Sequence, residues 1–321
     1  MNPLLRIEDL HVDIPGAAGV LRALRGVSLT VNEGETFALV GESGCGKSLT
    51  AMAALGLLPR AARMRAGRLA LDGQDLSRLS QRRWNALRAT RVAAIFQEPM
   101  TALNPVLSIG RQMTEAYVQH GLGSETEARK RASELLERVG VLPVGRRLAQ
   151  YPHQMSGGLR QRVMIAMALM CRPRLMIADE PTTALDVTTQ VEILRLLQEL
   201  QRDTGMALLL ITHDLGVVAH VAERMAVMYA GEVVETGPVA QVVTQPAHPY
   251  TAALLRCLPV QATRDRPLVP IPGVVPALFG PLDGCAFRNR CALAGEDCAG
   301  RIPWRERAGQ GYRCLRDEVP A

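Results

Sequence analysis

Residues 41–48 read Gly41-Glu42-Ser43-Gly44-Cys45-Gly46-Lys47-Ser48, the pattern G-x-x-x-x-G-K-[ST], and no other stretch so narrows what this chain can fold into. Glycines at these positions let successive backbone N–H groups turn inward around an anion, where a Cβ would obstruct the approach. Lys47 brings positive charge to the β- and γ-phosphates of a nucleotide and Ser48 a hydroxyl to Mg²⁺. The helix that starts here points its positive dipole end at the same place. The flanks agree: Phe37-Ala38-Leu39-Val40 is a short apolar strand entering the loop, and residues 49–55 read as a helix leaving it. A glycine-rich turn with an incidental Gly-Lys-Ser is the alternative, and the strand-to-helix context argues against it.

The chain has 321 residues, 48% of them hydrophobic, enough for a sizeable core and about two domains. No apolar run approaches the roughly 18 to 20 residues needed to span a bilayer. The first residues carry Glu8 and Asp9 and no leader-like apolar core, so a cytosolic chain is expected. Its seven cysteines then read as thiols or metal ligands rather than disulfides. The net charge is +6, and nine arginines fall in residues 60–91 against Asp72 and Asp75. Trp84 is the one aromatic in that stretch and makes no interleaved series to stack on bases, so a solvated face is expected, with anionic lipid as the sharper alternative and no nucleic-acid partner.

In order, residues 4–14 and 27–31 read as strands, residues 68–71 as another, and residues 92–96 as a buried strand ending at Gln97. Pro59 is expected to stop the helix that follows the glycine loop. From about residue 99 to 151 helices take over: 108–120 is one, and Ser124-Glu125-Thr126-Glu127 is a capping box before a stripe of Ala128, Ala132, Leu135, Leu136 and Val139. After this insertion β/α alternation returns, with a strand at 175–178, a helix at 189–202 opened by a second capping box at Thr189 and Glu192, and a strand at 207–211 running to His213. The predicted class is α/β with a largely parallel sheet. Beyond about residue 245, eight prolines fall between Pro246 and Pro281, which predicts a loop-rich appendage with one short helix at 250–258.

Asp179 and Glu180 stand at the C-terminal end of the strand 175–178, where ligands collect in open α/β sheets. Two adjacent acids have two tasks: Asp179 holds Mg²⁺ through its water shell, and Glu180 polarises the attacking water. An Asp-Glu pair that simply opens a loop is the structural alternative.

Together these features resemble the ATP-binding-cassette family, and the resemblance becomes specific at Met155-Ser156-Gly157-Gly158-Leu159-Arg160-Gln161-Arg162, which is similar to the family's signature motif. The resemblance implies a P-loop ATPase core with an antiparallel β subdomain and an inserted helical subdomain. It implies a head-to-tail dimer in which ATP on one P-loop is covered by Ser156, Gly157 and Gly158 of the other subunit. It further implies that Gln97 senses Mg²⁺ and the attacking water, that Asp186 in Ala184-Leu185-Asp186 bridges the two subunits, and that His213 meets the γ-phosphate. Taken singly, each of these three residues has an ordinary structural reading: a surface Gln, a turn acid, a strand-end His. One departure stands out. The family stacks adenine on an aromatic near the end of the first strand, where this chain has Ile14, with Val20 nearby and no aromatic residue before Phe37.

Within the family the chain is most similar to the ATPase subunits of dipeptide and oligopeptide importers. The segments 96–105, 151–154, 178–187, His248-Pro249-Tyr250-Thr251 and 271–276 carry that likeness. The domains expected are a nucleotide-binding domain at 1–245, with its helical subdomain at about 98–160, and a C-terminal oligopeptide-transporter extension at 246–321. In that extension Cys285, Cys291, Cys298 and Cys314 are separated by five, six and fifteen residues. Four thiols can complete a Zn²⁺ site, bind a [4Fe–4S] cluster or stay unligated; the likeness implies the cluster. It also implies ATP and Mg²⁺ as cofactors, a second ATPase subunit, a sister chain in preference to an identical copy, two transmembrane permease subunits, an extracytoplasmic solute-binding protein acting indirectly, and a peripheral place on the cytoplasmic face of the membrane. Peptides are the expected cargo, with nickel or glutathione as alternatives. A soluble cassette acting as a nucleic-acid or redox regulator is the rival of another class.

Overall fold

A computed structural model describes residues 3–17, 19–96, 102–183, 185–258, 270–276, 278–280 and 282–319. The chain divides into two compact units, one formed by residues 2–78 with 211–321 and the other by residues 79–210.

The first unit opens with strands β1 (Pro3–Gly16), β2 (Gly19–Asn32), β3 (Thr36–Val40), β4 (Arg63–Arg65), β5 (Arg68–Leu71) and β6 (Gln74–Asp75). β1 pairs antiparallel with β2, β4 and β5, and β6 pairs with β5. Along β1, Leu4 and Leu5 open the buried apolar residues, and from Leu5 they run on through Ile7, Leu10 and Val12. Their period of two breaks at Asp9, which adopts φ +49° where the register shifts between Ile7 and Leu10. Such irregularities also hide the outer half of β2, which extends eight residues further back than the strand expected to begin at residue 27.

The P-loop strand β3 is buried along its whole length and leads to the helix Lys47–Leu55. That helix ends at Gly56, whose φ of +63° places it in the left-handed region, with Leu57 N–H donating to Met52 O at 2.8 Å. The stop expected at Pro59 therefore comes earlier, because glycine accepts the closing turn before the proline is reached.

The second unit holds β7 (Val92–Ile95), β8 (Leu175–Asp179) and the start of β9 (Ala207–Thr212), in the order β9-β8-β7. β7 and β8 run parallel, Val92 opposite Leu175. β8 and β9 are fully buried, as strands covered on both faces are. The helices Ile109–Gln119 and Glu125–Arg138 start at the expected serines. The Ser124 capping box is formed in both directions, and the buried side chains of the second helix include Ala128, Ala132, Leu135 and Leu136. From that helix Arg131 donates to the carbonyls of Met170 and Leu169 at 2.8 and 3.0 Å, closing the C-terminal end of the helix Gly157–Ala168.

Returning to the first unit, β10 (Arg224–Tyr229) runs parallel to β3, and β11 (Glu232–Pro238) turns back antiparallel to β10. The final strands β12 (Arg305–Arg307) and β13 (Gln310–Tyr312) extend that edge, β13 pairing with β11. The proline-rich tail thus joins the sheet by hydrogen bonds. It joins the core as well: Tyr250, Leu255, Leu278, Ala286 and Phe287 pack in one cluster with Ala38 and Val40 of β3 and with Val227 and Tyr229 of β10. Instead of standing off as an appendage, the tail shares a core with the strand that feeds the phosphate loop.

Candidate nucleotide-binding site

The phosphate loop is shaped by contacts that leave no room for side chains. Gly41 has φ +154°, and a Cβ there would lie 2.3 Å from Met228 O and 2.8 Å from Cys45 Sγ. Gly46, at φ +110°, would place a Cβ 2.6 Å from Leu24 Cδ2. Ser43 and Gly44 are exposed at the mouth, while Lys47 is buried at 5%. Its Nζ donates to Gly41 O at 2.8 Å and Glu42 O at 3.1 Å, and lies 3.8 Å from Cys45 Sγ. A buried ammonium held by neutral carbonyls suits an anion as its countercharge. Ser48 sits in the first turn of the helix Lys47–Leu55, which carries no acid there to oppose a phosphate. The loop and its lysine therefore fit a nucleotide's phosphates.

Tail residues that sequence reasoning did not assign reach this region, Tyr250 and Phe279 among them. Tyr250, fully buried at the start of the helix Pro249–Arg256, accepts the Glu42 N–H on its Oη at 2.9 Å, and burial pushes its phenol well above the ordinary value. Phe279 forms an isolated antiparallel bridge with Leu21 on β2, two residues from Ala23, whose carbonyl lies 3.2 Å from the position of a Cβ on Gly46. Val20 and Phe279 are both about half exposed there. The sequence signal for Tyr250 was its place in His248-Pro249-Tyr250-Thr251; Phe279 had none, because its partner lies at the other end of the chain.

In the second unit Asp179 is buried at the end of β8, and Glu180 follows at φ +46°, its Oε2 accepting from Thr183 Oγ1 at 2.8 Å. A non-glycine residue in this left-handed region costs about 1–2 kcal/mol and fixes where the carboxylate can lie. Ser156 caps the helix Gly157–Ala168, accepting from Leu159 N at 3.4 Å. A Cβ on Gly158 would lie 3.0 Å from Thr189 Cγ2, so glycine lets this helix start close against the helix Val187–Thr204. The cap of that second helix is Asp186, not Thr189: Asp186 Oδ1 accepts from Thr189 N at 3.0 Å, and Oδ2 from Thr189 Oγ1 at 2.7 Å. The backbone and hydroxyl donors of Thr189 hold the Asp186 carboxyl below the usual range. Glu192, expected to close a capping box, instead pairs with Arg162 of the signature segment at 2.7 Å. His213 is exposed directly after β9, in the first unit, next to Asp214, which caps the helix Leu215–Val221. Gln97 and Ala184 lie outside the described residues.

Cys285, Cys291, Cys298 and Cys314 line one small cavity together with His248, Phe287 and Arg316. None of the seven cysteines forms a disulfide. Burial pushes the Cys285 thiol up to about 11 and raises Cys291 and Cys314 as well. Arg316 N–H donates to Cys314 Sγ at 3.4 Å and its Nη2 to Cys298 Sγ at 3.5 Å. His248 is fully buried; its Nδ1 accepts from Tyr250 N at 3.1 Å, which leaves Nε2 as the protonated nitrogen, with no hydrogen-bond partner. The four thiols share this cavity with the Arg316 donors. Among the described residues, however, no three His, Cys, Asp or Glu side chains are gathered closely enough to hold a metal ion.

Residues 24–183 match the family described as ABC transporter. A dipeptide transport ATP-binding protein, DppD of Bacillus subtilis, is 50% identical over 292 residues, covering 91% of this chain and 87% of that protein. The chain belongs to the ABC transporter family. Its tail, residues 234–298, matches the oligopeptide/dipeptide transporter C-terminal region. DppD of Escherichia coli is 47% identical over 300 residues, covering 94% of this chain and 92% of that protein. Among solved structures, the post-hydrolysis dimer of the ATP-binding cassette MJ0796, bound to ADP and Pi, superposes with a TM-score of 0.66 at 28% identity, over 73% of this chain and 98% of that one. The cassette CbiO1 of Clostridium perfringens superposes at 0.65 and 29%, over 75% and 91%. This ABC cassette therefore has the ATPase fold of its family, with mixed sheets and helices, and belongs to its ATP-hydrolysing members. Among the described residues no helix is long and apolar enough to cross a membrane.

Proposed function

We propose that this cassette hydrolyses ATP to power import of di- and oligopeptides through a membrane ABC transporter. The observation that carries the reading is the combination of a complete phosphate loop with a tail that matches the oligopeptide/dipeptide transporter C-terminal region and shares its core. The relatives named as dipeptide transport ATP-binding proteins match through both parts.

In this reading Lys47 and the loop N–H groups hold the β- and γ-phosphates, Ser48, Gln97 and Asp179 serve Mg²⁺, Glu180 polarises the attacking water and His213 meets the γ-phosphate. Ser156, Gly157 and Gly158, at a helix N-terminus, cover ATP held by a sister subunit, and Asp186 lies at the subunit junction. The exposed Phe279 ring takes the place of the missing aromatic on β1 as the platform for adenine. The nucleotide-binding domain spans 1–245, with its helical subdomain at about 98–160 facing two permease subunits at the cytoplasmic face of the membrane, and the extension spans 246–321. A solute-binding protein delivers the cargo from the other side.

The cysteine set holds a [4Fe–4S] cluster in this proposal, Zn²⁺ being the alternative. Such a group supplies structural cross-linking and an electron-accepting centre. Cys285, Cys291, Cys298 and Cys314 would be its ligands, Arg316 would donate to its sulfurs, and His248 lines the same cavity.

The test is uptake of a labelled dipeptide into vesicles that contain the whole transporter. ATP-dependent uptake that disappears with Lys47→Ala supports the proposal. Uptake without this chain, or full function in a membrane-free extract, overturns it.

A further inference from the structure

Arg290 directly precedes Cys291, yet its guanidinium reaches the phosphate loop. Nη1 donates to Glu42 Oε2 at 2.7 Å and Nη2 to Glu42 Oε1 at 3.0 Å, a two-bond fork. The Arg290 side chain is only 5% exposed and that of Glu42 29%. The other contacts anchor the arginine in the tail: Nε donates to Pro272 O at 2.8 Å, and the guanidinium lies 5.7 and 5.9 Å from the ring centres of Tyr229 and Phe287. Glu42 is gripped at three points. Its carboxylate meets Arg290, its N–H donates to Tyr250, and its carbonyl accepts from Lys47 Nζ. Two of these partners belong to the segment after residue 245. Without Arg290, Glu42 would leave an uncompensated carboxylate in the loop that receives a polyanion, and like charges at this range repel.

We infer that Arg290 is a positioning residue for the phosphate loop: it orients Glu42 and cancels its charge, so that the cysteine-bearing tail sets the affinity for the nucleotide's phosphates. The inference rests on the ATPase reading above and goes beyond it by giving the tail a part in ATP binding.

The test measures Mg-ATP binding to the full chain by titration with a fluorescent ATP analogue, and KM and kcat for ATP in the assembled transporter. R290A should weaken ATP binding about tenfold, with the loss appearing in KM rather than kcat. R290K, which keeps the charge and loses the fork, should fall between R290A and the wild type. The decisive variant is the double substitution E42Q/R290A. It removes the stranded carboxylate and should recover most of the affinity lost in R290A, a rescue that loss of tail packing alone would not produce. If R290A does not yield a folded chain, R290Q, which keeps an amide donor in place of the fork, takes its place in both comparisons. Wild-type affinity in the arginine variant, or no recovery in the double variant, overturns the inference. A wild-type chain that binds no ATP would instead overturn the ATPase reading.

Discussion

Leu21 and Phe279 meet as an antiparallel bridge at the outer edge of β2, with Arg22 N–H donating to Leu278 O at 2.8 Å. The bridge sets an aromatic ring beside a hairpin that has no aromatic of its own, and the ring is 48% exposed. β2 passes the phosphate loop at Ala23, so a base attached to phosphates in that loop has Phe279 within reach along the strand. Phe279→Ala should weaken ATP binding by about 1–3 kcal/mol, the worth of one base–aromatic stack. Phe279→Trp should retain it. Equal ATP affinity of the alanine variant and the wild type in a nucleotide titration would remove Phe279 from the site.

Glu180 is held in the left-handed region with its carboxylate on Thr183 Oγ1. Glu180→Gln keeps the shape and that hydrogen bond but cannot take a proton. Turnover should fall by at least about a hundredfold, with ATP binding retained. Phosphate release by the variant at the wild-type rate would transfer the role to another residue.

Cys45 is buried beneath the loop, and burial raises its thiol above the ordinary value although Lys47 is close. A raised value means less thiolate at any given pH. Alkylation should therefore be slow near pH 7.5 and should keep accelerating as the pH rises past 9, and bound ATP should slow it further. Mapping of iodoacetamide-modified peptides over time reads this site separately from the other thiols. Modification of Cys45 at the rate of a free thiol at neutral pH would show that the loop opens far more than its packing suggests.

The cysteine cavity makes a prediction about metal content. Chain purified without oxygen should carry about four irons and absorb near 400 nm, and Cys298→Ser should lose both. One zinc and no colour would select the alternative ligand, and protein free of both would remove the metal proposal.

Much of the site was legible because its parts are local. The P-loop pattern marks positions where only glycine tolerates the backbone, and the close approaches at Gly41 and Gly46 bear this out. The helix begun by Ser124 was readable because a capping box is decided within four residues. The start of the helix Val187–Thr204 was misread for a related reason: Asp186 and Thr189 are both good caps, and choosing between them depends on Glu192, which is drawn away by Arg162 from another helix.

By itself, then, the sequence determined the phosphate loop, the strand-end acids Asp179 and Glu180, the order of motifs and the α/β class, because each rests on steric or hydrogen-bonding rules acting over a few residues. Only the tertiary structure decided that the proline-rich tail enters the core behind β3, that Tyr250 and Arg290 hold Glu42, and that Phe279 lies beside Leu21. Those contacts join residues more than two hundred positions apart. Periodicity and motif spacing carry no information at that range. The contacts arise from burying the aromatic rings of Tyr229, Tyr250 and Phe287 together and from pairing a buried guanidinium with a carboxylate it could not be left without.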